Sequence, residues 1–117
     1  MKFFSKGQKM ETVIGPQTYI NGEISSNNSL RIDGTVEGII KADWISIGES
    51  GKITGSITCR GIVVGGEVKG TINASEIITI TQKGSVNGEI FTTKISIEEG
   101  GKFDGKSCIQ QSTLFSE

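Results

Sequence analysis

One short pattern returns along the chain at nearly constant spacing, and it limits the fold more than any other feature. In Gly51-Lys52-Ile53-Thr54-Gly55-Ser56-Ile57 two glycines alternate with two aliphatic residues. The same arrangement occupies 34–40, 66–72 and 84–90; Thr18–Ile24 lacks only the leading glycine, and 101–107 keeps both glycines with Phe103 and Ser107 at the aliphatic positions. The central residues are Ile20, Val36, Ile53, Val68, Val86 and Phe103, spaced by 16, 17, 15, 18 and 17. Each copy but the last is followed by a second apolar pair: Leu30/Ile32, Ile45/Ile47, Ile62/Val64, Ile78/Ile80 and Ile95/Ile97. Eleven of the seventeen glycines fall in the two glycine columns, which scattered glycines would not do.

A unit of about 17 residues is too short for a helix pair, which needs roughly 33 or more. It suits one coil of a β-helix built from short strands. Composition agrees: 19 Ile, 6 Val and 11 Thr stand against 2 Leu and 2 Ala. β-Branched residues favour strands, and the strong helix formers are nearly absent. The fold predicted is all-β, a single solenoid of five to six coils. Aliphatic and glycine positions share the inward parity, while residues such as Asn87 and Glu89 take the outward one. Glycines at fixed inward positions mark corners where the chain bends.

The repeats divide the chain into a disordered tail over 1–17, a β-helix over 18–109 and a second disordered tail over 110–117. Neither flank reads as a capping helix. A solenoid without caps leaves backbone groups unpaired around a ring of apolar side chains, and such edges pair with another copy. Filament formation by end-to-end stacking is therefore expected. Ile20 and Ile24 at one end, and Phe103 and Ile109 at the other, are the candidate polymerisation residues, with Phe103 the large aromatic anchor.

The chain carries 12 basic and 13 acidic residues and no histidine. Ser-His-Asp and Cys-His chemistry are thereby excluded, as is any His metal ligand. Cys59 and Cys108 offer neither a disulfide framework nor zinc spacing. Near-neutral charge argues against nucleic acid. No catalytic, cofactor or metal site is expected. The first ten residues hold Lys2, Lys6 and Lys9 with no acid, beside Phe3 and Phe4. Phenylalanines entering the headgroup boundary while lysines face anionic lipid would make this segment a membrane anchor. It lacks the apolar core of a signal peptide, so a cytoplasmic location is expected, peripheral at the inner face of the membrane.

The repeats, at this period and with short flanks, resemble those of the bactofilin family, over roughly residues 14–109. The opening Phe3-Phe4-Ser5-Lys6 is similar to the apolar-basic start of many bactofilins. The resemblance implies a right-handed, triangular β-helix. It implies a bacterial cytoskeletal protein that forms filaments without nucleotide, joins head to head and tail to tail, and often lies on the inner membrane face. It also implies a scaffold for cell shape, wall synthesis or the placement of partners, including cell-wall or shape-determining proteins.

The chief alternative is a left-handed β-helix of the hexapeptide acyltransferase type. That pattern needs an aliphatic residue every six positions, whereas inward aliphatics here fall at 36, 40, 45, 47, 53 and 57. Asp occurs only at 33, 43 and 104, too sparsely for a calcium-binding β-roll. Gly51-Lys52-Ile53 lacks the Ser or Thr of a phosphate loop. Cys59 is expected in a connector, Cys108 beside the last coil, Trp44 at a corner or outward, and Glu98-Glu99 in a solvated turn.

Overall fold

The computed structural model describes residues 11–109. Its nine strands are β1 (Glu11–Ile14), β2 (Tyr19–Ser25), β3 (Ser29–Ile32), β4 (Thr35–Lys41), β5 (Trp44–Ile47), β6 (Lys52–Val64), β7 (Glu67–Ile80), β8 (Ser85–Ile97) and β9 (Lys102–Ile109). Every pairing between them is parallel. The chain winds into a parallel β-solenoid of about six turns, each coil lying one hydrogen-bonded strand above the last.

β6 shows how one coil is built. It runs along three faces, 52–54, 56–59 and 61–64, and bends twice on the way. The first bend is Gly55, at φ 136°, a backbone conformation that L side chains rarely adopt. The second is a shift in register between Cys59 and Gly61. The coil then closes through a tight turn; in the preceding coil the Gly51 N–H donates to the Gly48 carbonyl at 2.9 Å. Coil length varies at the second and third corners. Val64 reaches Val68 through Gly65-Gly66 in four residues, whereas Ile47 takes six to reach Ile53.

Register sets the core. Val36, Ile53, Val68 and Val86 are successive partners in one column, and Ile40, Ile57, Ile72 and Ile90 in the next. Leu30, Ile45, Ile62 and Ile78 form a third column, and Ile32, Ile47, Val64 and Ile80 a fourth. All of these side chains are buried. Like residues therefore touch like residues from coil to coil, filling a narrow interior with stiff β-branched groups.

Two expectations need correction. Residues up to 17 were expected to lack structure, yet Glu11–Ile14 pairs in parallel with Ser29–Ile32. Ile14 is buried against the core because it stands one coil below Ile32. Cys59 lies inside β6 rather than in a connector. Its side chain points inward at the second corner, in a column with Ala74 and Thr92, both buried.

Candidate functional site

The solenoid has two ends, and its sheet topology leaves an edge at each. β2 pairs only with β4, and β9 only with β8. At the N-terminal end Ile20 and Ile24 continue the core columns over Val36 and Ile40. Both are partly buried and pack against the core. At the C-terminal end Phe103 stands on Val86, partly buried, and Ser107 stands on Ile90. Ile109 is the register partner of Thr92. The four candidate polymerisation residues thus divide between the two ends, two on each terminal strand. Lys2, Phe3, Phe4, Lys6 and Lys9 lie outside the described residues.

The flanks of the rod carry charge in both signs. Arg60 pairs with Glu76 at 2.8 Å, Arg31 with Asp33 at 3.0 Å, Lys69 with Glu67 at 3.7 Å and Lys41 with Glu23 at 3.9 Å. All are solvent-exposed, so each contributes at most about 1 kcal/mol. A depression of about 670 Å³ runs over the glycine turns between Glu49, Lys52, Glu67, Lys83 and Lys102. It is a shallow groove open to water. Among the described residues no group of three His, Cys, Asp or Glu side chains is placed to share a cation.

The two thiols differ sharply. Burial pushes the Cys59 thiol up to about 12. Its inert thiol form therefore prevails at neutral pH. Cys108 is exposed on the terminal strand. Trp44 sits at the second corner, 42% exposed, as expected from its place before Ile45. Sequence reasoning missed what it covers: the ring lies over Gly61, with the Arg60 guanidinium 5.8 Å from the ring centroid. The signal was present, since Trp44 and Gly61 are 17 residues apart, one repeat.

The sequence model of the bactofilin family, polymer-forming cytoskeletal proteins, matches residues 12–108. The chain belongs to the bactofilin family. It is 32% identical over 96 residues to bactofilin BacP of Myxococcus xanthus strain DK1622, covering 81% of this chain and 40% of that protein. It is 35% identical over 95 residues to bactofilin BacO of the same strain, covering 80% of this chain and 75% of the relative. The chain thus spans well under half the length of BacP. Its fold superposes on the cryo-EM reconstruction of Thermus thermophilus bactofilin double helical filaments with a TM-score of 0.77, at 25% identity, over 85% of this chain and 99% of that one. Bactofilins are structural proteins, so the acyltransferase alternative falls. The inward positions of one coil (53, 57, 59, 62 and 64) do not recur every six residues either.

Proposed function

We propose that this bactofilin assembles into filaments by end-to-end stacking of its solenoid, without nucleotide. The observation that carries the reading is the pair of unpaired parallel edges, β2 and β9, which carry Ile20 and Ile24 at one end of the core and Phe103 at the other. A second copy laid on either edge satisfies backbone donors and acceptors that water otherwise holds, and it covers Ile20 and Ile24 or Phe103. The Thermus thermophilus bactofilin, whose fold this chain shares, forms double helical filaments.

The filament sits in the cytoplasm at the inner membrane face, held by Phe3 and Phe4 with Lys2, Lys6 and Lys9. One such segment binds lipid weakly and reversibly. Many copies on one filament bind firmly through avidity. On that surface the filament serves as a scaffold for cell shape, cell-wall synthesis or partner placement.

Electron microscopy of wild type and Phe103→Arg tests the assembly step. The wild type is expected to give ordered filaments without nucleotide. Phe103→Arg places a charge against the incoming edge and is expected to leave folded, short species. Filaments of wild-type length from a folded Phe103→Arg protein would remove this residue from the interface.

A further inference from the structure

The three faces of the solenoid differ in what they turn to solvent. The first carries Glu37, Glu67 and Asp104 among its outward positions, and the second carries Glu23 and Glu89. The third is different. Its two outward columns run from Ser29 and Arg31 to Lys94 and Ser96, and between those limits they hold no acid. Trp44 and Ile77 flank Gly61 in one column, and Val63 stands two residues beyond Gly61 in the other. Trp44 and Val63 are both 42% exposed, and Ile77 is partly exposed. Asp33 and Glu76, just outside the columns, are tied to Arg31 and Arg60.

Three features of this face fit a lipid surface. The half-exposed indole, with the Arg60 guanidinium 5.8 Å from its centroid, joins an apolar body to a polar tip, the combination that settles at the headgroup boundary. The lack of acid along both columns spares this face the repulsion that the other two meet from anionic headgroups. The chain also enters the solenoid here, since Glu11 opens β1 and its backbone partners Ser29 at the head of the Trp44 column. Residues 2–9, which supply the proposed anchor, immediately precede this face. A protein partner fits less well. Three apolar side chains fall far short of the roughly 800 Å² per partner that a stable complex buries. A bilayer needs no such area, because the tail and the neighbouring copies in a filament hold the face against it.

We propose that the third face is the membrane-facing side of the rod, with Trp44, Val63 and Ile77 at the headgroup boundary and Arg31 and Lys94 toward anionic headgroups. This orientation rests on the membrane reading of residues 2–9 and goes beyond it. A tail of ten residues spans up to roughly 35 Å when extended, so the tail alone reaches lipid from any face.

Trp44 is the chain's one tryptophan, so its emission reports on this face alone. The full chain is sedimented with vesicles of mixed phosphatidylcholine and phosphatidylglycerol, with and without bromine in the upper acyl chains. On binding, Trp44 emission is expected to shift to shorter wavelength and to be quenched by the brominated lipid. Val63→Glu adds an acid to the third face, and Thr54→Glu, exposed on the first face, adds the same charge elsewhere. One charge close to an anionic surface changes binding by about fivefold, so Val63→Glu is expected to bind about fivefold more weakly than Thr54→Glu. Far-UV circular dichroism checks that both variants fold, and the wild-type quenching does not depend on either. Unquenched Trp44 in sedimented wild type, or equal binding by two folded variants, would overturn the orientation and leave the tail anchor standing. Wild type that fails to sediment with the vesicles would overturn the anchor and the orientation together. A Trp44 shift that accompanies filament assembly without vesicles, and that brominated lipid does not quench, would give the face to a second copy.

Discussion

The indole of Trp44 fills the space that a side chain on Gly61 would need, one coil above it. A Cβ at position 61 would overlap the ring carbons, but a half-exposed ring has room to swing outward. Gly55 is constrained differently. Its φ of 136° disfavours any side chain, and a Cβ there would strike the backbone carbonyl of Gly38. Gly61→Ala is therefore expected to cost about 1–3 kcal/mol, as overpacking does. Gly55→Ala is expected to exceed about 3 kcal/mol, because the strained φ alone costs about 1–3 kcal/mol. Trp44→Ala should relieve Gly61→Ala and leave Gly55→Ala unchanged, which a double-mutant cycle by urea unfolding would show. Equal relief at both sites would mean that the corner is more plastic than its backbone indicates.

The narrow core should respond strongly to small changes. Ile57 and Ile72 are stacked partners with no exposed surface. Ile57→Ala is expected to destabilise by about 2–5 kcal/mol, since neighbours fixed in a ladder cannot collapse into the void. Ile53→Asp buries an unpaired charge and should abolish the folded state at ordinary temperature. Val63 alternates with these residues but faces water, so Val63→Thr should stay within about 0.5 kcal/mol. Circular dichroism melts at low protein concentration would rank the three.

The thiols give a pH-dependent check. The folded pKa of Cys59 is raised from an ordinary value near 9 to about 12. The unfolded thiol loses its proton first as pH rises, so the folded state binds more protons in the window between 9 and 12. Its contribution to stability is intact below pH 9 and falls as pH rises through that window. Cys59→Ala should flatten the fall. At pH 8 only Cys108 should react quickly with iodoacetamide, one label per folded chain, and two under denaturant. Two fast labels on the folded protein would mean that the column holding Cys59 opens to water.

Lipid binding should depend on both the N-terminal phenylalanines and the filament. In co-sedimentation with anionic liposomes, Phe3→Ser/Phe4→Ser should lose most binding. A polymerisation-deficient variant should lose it too, because avidity disappears with the filament. Wild-type binding should weaken at high salt as the lysines are screened. Retention of lipid binding by the double Phe variant would remove the segment from the membrane.

Much of the fold was legible because register turns sequence period directly into contact. Residues one repeat apart became stacked neighbours, so Ile53 and Val68 were readable as partners from spacing alone. What escaped notice lay where the period was present but the residue type was not aliphatic. Cys59 follows the phase of Ala42 and Ala74, yet small residues at a tight corner look like a connector. β1 escaped because Glu11–Ile14 carries no glycine signature; only the 18-residue step from Ile14 to Ile32 betrays it. The two ends were legible as apolar columns through Ile20, Ile24 and Phe103.

X-ray fibre diffraction from aligned filaments tests end-on assembly most directly. Successive coils of a parallel β-solenoid repeat at about 4.8 Å along the solenoid axis. Six stacked levels, from Ile20 to Phe103, give a subunit rise of roughly 29 Å if the coils continue across each junction. Rods stacked end on place the 4.8 Å reflection on the meridian, parallel to the filament axis, and Phe103→Arg removes the ordered pattern. A 4.8 Å reflection on the equator would mean that the rods lie across the filament and meet through their flanks, contradicting assembly through β2 and β9.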